Sequence, residues 1–157
     1  MSPELDKKIV EKYPKIFADR YEDMQKTAMC WGFEHSDGWY WLLDQLCDSI
    51  QSYIDTNNNY RDKDKQIPQV VATQVKEKWG TLNFYYTGGD DMIDGMISLA
   101  ENMSSYICEI CGTTENVGIT IGWLTNVCKK CHDSGINNSV SNRIWLTKEE
   151  FKKELLK

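Results

Sequence analysis

Two histidines and three prolines among 157 residues leave little material for several kinds of chemistry. Sites that hold a catalytic metal through paired imidazoles, and most Ser–His hydrolases, are hard to build from His35 and His132 alone. The sequence has no G-x-x-x-x-G-K-[ST] loop, no G-x-G-x-x-G turn, no G-x-S-x-G elbow and no H-E-x-x-H helix. No apolar run approaches the roughly eighteen residues that cross a bilayer. Long basic blocks are also missing. With 24 acidic against 18 basic side chains, the net charge of −6 opposes the phosphate neutralisation on which extended nucleic-acid binding depends. The opening MSPELDKKIVEKYPK has no apolar centre, so the expectation is no secretory leader and a cytoplasmic chain with reduced thiols.

What is present suits one domain with a small appended module: 41% of the residues are apolar, enough for a packed core. Ser2-Pro3 marks a helix start, and Pro14 should end that helix near Tyr13 and open a second one reaching Tyr21 to Lys26. Ala28 to Phe33 reads as a short buried strand or loop. After Ser36 or Asp37 as cap, Trp39, Leu42, Leu43, Leu46, Ile50, Tyr53 and Ile54 recur at gaps of three and four. That spacing predicts the strongest helix of the chain, stopping at Thr56-Asn57-Asn58-Asn59.

Residues 60–66 read as a charged loop. Val70 to Lys78 and Leu82 to Tyr86 then predict a β-hairpin turning near Trp79-Gly80-Thr81. Asp90 or Asp91 should cap a helix with Ile93, Met96, Ile97, Ala100 and Met103 on one face. Residues 132–144 read as a loop. Thr147-Lys148-Glu149-Glu150 is a capping box for a last helix through Leu155, with Leu146 and Phe151 placed as a hydrophobic staple. The expected class is α+β: helices on a small antiparallel sheet or hairpin, plus a zinc-ribbon module. The expected units are 1–107 as core, 108–131 as ribbon, and 132–157 as a loop and helix packing on the core.

Four cysteines carry the clearest signal. Cys108, Cys111, Cys128 and Cys131 form C-x2-C-x16-C-x2-C, the spacing of two thiolate knuckles that complete one tetrahedron. Cys128-Lys129-Lys130-Cys131-His132 also matches a c-type haem attachment site, but that reading leaves the first pair without a role. The expected cofactor is a structural Zn2+. Four thiolates leave no position open for water, so a catalytic zinc is not expected, and His132 falls outside the ligand set. Cys30 and Cys47 read as buried apolar thiols, with a Cys30–His35 nucleophile pair set aside.

Two aromatic segments exceed what a core requires. Trp31 to Trp41 holds three tryptophans around Glu34, His35 and Asp37. Residues 76–91 combine Lys76, Lys78 and Trp79 with Tyr85, Tyr86, Gly88-Gly89, Asp90 and Asp91. Rings can stack a base, lysines and a helix N-terminus can meet phosphate, and carboxylates can hold ribose hydroxyls. The candidate ligand-binding set is therefore His35, Asp37, Trp39, Lys76, Lys78, Trp79, Tyr85 and Tyr86, with no catalytic residue assigned.

MCWGFEHSDGWYWLLDQLC, QVKEKWGTLNFYYTGGDDMIDGMI, CEICG and CKKC together resemble a group of small bacteriophage and prophage proteins of unassigned function. The resemblance spans about Cys30 to Cys131. It implies a host-cytoplasm setting in which such a chain binds and neutralises a host component, for instance as a sponge for nucleotide second messengers of anti-phage defence. The leading expectation is thus a non-catalytic protein that sequesters a small nucleotide-like ligand. The alternatives are an adaptor for a host protein using the ribbon, Trp79 and Trp123, or a divalent-metal hydrolase using Asp90, Asp91 and Asp94. Homo-oligomerisation stays open.

Overall fold

The structure, a computed structural model, describes residues 1–135 and 137–156. Helix α1 (Pro3–Lys12) starts with Pro3 in its first turn and ends at Tyr13, as Pro14 dictates. The predicted second helix does not form. Residues 14–17 turn, and only a short 3-10 turn, Ala18–Tyr21, follows. The reason lies in the partners of the segment. The Ile16 carbonyl accepts the Ala72 N–H at 2.8 Å, and Phe17 is buried edge-on to Phe33 and Phe84. An isolated helix would have kept that carbonyl for itself.

A 3-10 turn at Ala28–Trp31 leads into β1 (Phe33–Glu34), a two-residue edge strand parallel to β2 (Val71–Lys78). β2 pairs antiparallel with β3 (Thr81–Thr87), giving the order β1-β2-β3. An irregularity between Ala72 and Gln74 resets the register of the hairpin. Beyond it Val75 pairs with Phe84 on the buried face, while Gln74 pairs with Tyr85 on the outer one. α2 (Tyr40–Asn58) and α3 (Asp91–Ser104) cover the core, α3 packing on both β3 and α2. Trp39, Leu43, Ile50, Val75, Leu82 and Ile93 are fully enclosed there.

α2 enters through a 3-10 turn at Asp37–Trp39 with no side-chain cap. The Asp37 carboxylate instead accepts the Ser2 N–H at 2.6 Å. Asp90 caps α3, accepting the Ile93 N–H. The Gly88-Gly89 pair serves packing: a side chain on Gly88 would sit 2.1 Å from the Gln69 carbonyl oxygen, and Gly89 donates to Pro68.

The cysteine module carries a second sheet, order β5-β4-β6, from β4 (Val117–Thr120), β5 (Asn126–Cys128) and β6 (Trp145–Leu146). Between β5 and β6 lie α4 (Lys129–Asp133) and α5 (Asn138–Ser141), so the expected loop over 132–144 includes the end of one short helix and the whole of another. Ile136 in that loop, like Lys157 at the end of the last unit, lies outside the described residues. α6 (Lys148–Leu155) has the predicted capping box of Thr147 and Glu150. It packs on β4 and β6 of the ribbon, which corrects its expected place on the helical core. Trp145 causes this: paired with Thr120 and donating its indole N–H to the Val127 carbonyl at 2.9 Å, it commits the chain end to the ribbon.

Candidate metal centre and the groove it braces

Cys108 and Cys111 lie in the turn after α3; Cys128 ends β5 and Cys131 sits in α4. Their four sulfurs all lie within 4.8 Å of one another, with Cys111 and Cys128 3.8 Å apart. An ion bound by four thiolates at about 2.3 Å sets tetrahedral edges of about 3.8 Å, so the donors fit such an ion in number, kind and spacing. Both knuckles are backed by backbone donors: Gly112 N–H to the Cys108 carbonyl, and Cys131 N–H to the Cys128 sulfur. Burial pushes the Cys108 and Cys131 thiols up, and the neighbouring Cys111 and Cys128 sulfurs push Cys131 further. A bound cation supplies the charge that lets such thiolates form together. Pairing of the two CxxC motifs removes the haem-attachment reading.

His132 is not a ligand, but neither is it incidental. It is buried, with Nδ1 at 3.0 Å from Asp133 and Nε2 at 2.9 Å from the Arg143 carbonyl oxygen, tying α4 to the approach of β6. Cys47 is an enclosed thiol, pushed up by burial. The half-buried Cys30 donates to the Thr27 carbonyl, away from His35.

The ribbon is fastened to the core at two places. At the first knuckle, Gly38 N–H donates to the Glu109 carbonyl at 2.8 Å, Ser36 N–H to the Glu109 carboxylate at 3.0 Å, and the Trp39 indole to the Ile107 carbonyl. A Cβ on Gly38 would fall 2.2 Å from the Cys108 carbonyl oxygen, so only glycine permits this approach. At the second, Asn126 in β5 donates its side-chain amide to the Gly80 carbonyl and its own carbonyl accepts the Glu109 N–H. Lys148 reaches the Asn126 side-chain oxygen from α6, and burial pushes its ammonium down to about 8.

Gly80 is half of the hairpin turn. Trp79 and Gly80 both have positive φ, +55° and +83°, as a two-residue turn between right-twisted strands requires. Asparagine or glycine normally takes the first of these positions. A bulky residue in the left-handed region costs about 1–2 kcal/mol, so strain is accepted to hold an indole at this tip. Trp79 is 76% exposed, and across from it the loop after β4 leaves Trp123 67% exposed. Together with Lys76, Glu77, Lys78 and Leu124 they line a groove of about 460 Å³, within the range typical of small-ligand sites. Lys78 Nζ lies 4.8 Å from the Trp79 ring centroid.

A smaller recess of about 160 Å³ shares Glu77 and Trp123 with this groove; its other walls are mainly polar, with Ser36, Glu109, Thr125 and Arg143 among them and Ile110 and Val140 beside. Arg143 is held there by the Trp123 carbonyl and the Thr125 hydroxyl, both at 3.1 Å. Burial first, and the Glu77 carboxylate after it, hold the Glu109 carboxyl above its ordinary value, while the Ser36 N–H works the other way.

Of the predicted ligand residues, Lys76, Lys78 and Trp79 come together in the groove. Tyr85 shares the outer sheet face, 5.7 Å from the Lys76 ammonium, whereas Tyr86 points to the opposite face and donates to Asp94. Trp39 is fully enclosed and His35 is 6% exposed, so neither can meet a ligand; Asp37 is engaged by Ser2. The segments 31–41 and 76–91 therefore do not form one aromatic cleft. Trp31 borders a separate depression with Arg20 and Tyr21. Asp90 and Asp94 accept the Tyr53 and Tyr86 hydroxyls and do not gather with Asp91. Among the described residues the four cysteines are the one group of three or more such side chains placed to hold a metal.

Sequence reasoning missed Glu109 and Arg143 beside Trp123 and Asn126 on Gly80, and gave Trp123 only to an adaptor surface. The one available signal was that Glu109 lies inside the first CxxC knuckle, whose backbone is fixed by its two cysteines. No helix of the described residues is long and apolar enough to cross a membrane. Compared with protein-family models, curated proteins and solved structures, the chain matches none.

Proposed function

We propose that this chain is a non-catalytic binding protein that captures a small nucleotide-like ligand in the groove between the hairpin tip and the ribbon, with zinc in the four-thiolate site as a structural brace. The supporting observation is the pair Trp79 and Trp123, both largely exposed and lining one groove, with Lys76 and Lys78 beside them. Indole faces stack bases of any sequence, and lysine ammoniums complement phosphate despite the overall negative charge. A sponge acting on defence signalling in the cytoplasm of a phage-infected host is the biological role this chemistry suits.

Titration calorimetry of the metal-loaded chain against cyclic and linear nucleotides tests the reading. Micromolar or tighter binding, lost in Trp79→Ala and Trp123→Ala, is the expected result, with mass spectrometry recovering the ligand intact after denaturation. Absence of binding across the panel rejects capture, and a converted ligand rejects the non-catalytic role.

A protein partner is the second reading, favoured by a separate apolar groove between α2 and α3. Trp41, Leu99 and Met103 are 63%, 62% and 42% exposed along it. Pull-down of a stoichiometric partner that depends on Trp41, in place of nucleotide binding, would select that reading.

A further inference from the structure

The polar recess beside the two tryptophans has an unusual donor–acceptor balance. One carboxylate oxygen of Glu109 accepts the Ser36 N–H; among the described residues no donor meets the other, which is not among the enclosed polar atoms and stays open to the recess. Glu77 likewise gives one oxygen to the Gly80 N–H at 2.6 Å and has its second left over. Arg143 lines the same recess but forms no ion pair with either glutamate; its Nη1 donates to the Trp123 carbonyl and the Thr125 hydroxyl. Two acceptor oxygens therefore face a recess that opens, across Glu77 and Trp123, into the tryptophan-lined groove. An acceptor oxygen that exchanges water for a ligand N–H keeps a hydrogen bond, whereas one that is set against another acceptor loses it.

Resting on the nucleotide-capture reading, we infer that the recess selects guanine among the bases. Guanine alone presents two adjacent N–H donors, N1–H and the 2-amino group, on the edge that a carboxylate would meet while its ring stacks on indole. Adenine brings N1 and cytosine N3 toward the same acceptors, and uracil flanks its single N3–H with two carbonyl oxygens, so each sets acceptor against acceptor. Hypoxanthine keeps N1–H and lacks the amino group, so it ranks between guanine and adenine. Glu109 is the specificity-determining residue, fixed in place because it sits inside the first CxxC knuckle. Trp79 and Trp123 hold any base, and Lys76 and Lys78 hold the phosphate.

The test is calorimetry on the metal-loaded full chain with GMP, IMP, AMP, CMP and UMP. GMP is expected to bind about tenfold or more tighter than AMP, with IMP between them. Glu109→Gln keeps the size of the side chain and should shrink the GMP-over-AMP ratio to within about threefold. Zinc content and the melting curve report whether that variant has folded; if it has not, Glu77→Gln is measured for the same loss of ratio. Equal GMP and AMP affinities in the native chain, or a ratio undiminished in the folded variant, overturn base selection while nucleotide capture stands. No binding of any of the five overturns both.

Discussion

Around α2 the molecule is held by close packing, whereas around the cysteines it is held by ligands and hydrogen bonds. Trp39, Phe17, Met29, Leu43, Ile50, Leu82 and Ile93 are all almost fully enclosed in one continuous apolar cluster. The ribbon's own cluster has only Val127 and Val140 beside three cysteines, with Ile110, Val117 and Trp145 half-buried on it. A core of the first kind survives the loss of one contact. The second kind has little apolar area of its own, and a metal held by the four cysteines would supply what small modules of this kind usually need. The groove lies where the two meet, with Trp79 carried by the packed half and Trp123 by the ligated half.

Removal of the metal should separate the two halves most sharply. Cys128→Ser, or a strong chelator, should release the ion and unfold the ribbon, because free energies of about 10 kcal/mol or more accompany structural zinc binding in small modules. Metal analysis and far-UV circular dichroism are expected to show zinc lost and the α2 and α3 signal kept, with groove binding abolished. Wholesale loss of helix would mean that the core depends on the ribbon after all.

The packed half has its own weak point in His35. Its Nδ1 lies 2.8 Å from the Ser36 carbonyl, so that nitrogen carries the proton, and Nε2 is buried without a partner among the described residues, between Phe33 and Trp39. Burial lowers its pKa to about 4, against the weaker raising effects of the Ser36 carbonyl and Asp37; the Met1 ammonium lowers it too. The unfolded chain takes up a proton near pH 6.5 and the folded one only near 4. The stability from keeping this ring neutral is therefore complete above pH 6.5 and lost progressively down to pH 4, about 3 kcal/mol in all. Denaturant titrations at pH 7 and pH 5 should show a smaller fall for His35→Phe than for the native chain, by about 2 kcal/mol. Equal falls would place the ring in contact with water.

The smallest expected effect has the opposite sign. Trp79→Asn puts a residue that tolerates left-handed backbone at the hairpin turn and should raise stability by about 1 kcal/mol while weakening ligand binding. A thermal melt paired with calorimetry checks it, and a destabilised variant would mean that the indole is a structural part of the groove.

Legibility followed the range of the interactions. The face of α2, the Asp90 cap, the hairpin turn and the Thr147 capping box depend on neighbours a few residues apart, and each could be read from local pattern. The segment after Pro14 could not, because its Ile16 carbonyl is taken by Ala72 and its Phe17 by Phe33 and Phe84, all distant in sequence. The aromatic segments were equally opaque: composition shows many rings, and only packing shows that Trp39 is enclosed while Trp123 is exposed.

By itself, the sequence determined an α+β chain with a four-thiolate ribbon, since cysteine spacing and helical periodicity are local constraints that few folds satisfy. Tertiary structure decided where a ligand can go. It sank His35 and Trp39 into the core, turned Tyr86 away from Tyr85, and carried Glu109 and Trp123 to the hairpin tip through Asn126 and the Gly38 contact. The physical reason is that a groove between two units is made by their docking, and the residues that dock them are buried polar atoms with no periodicity to announce them.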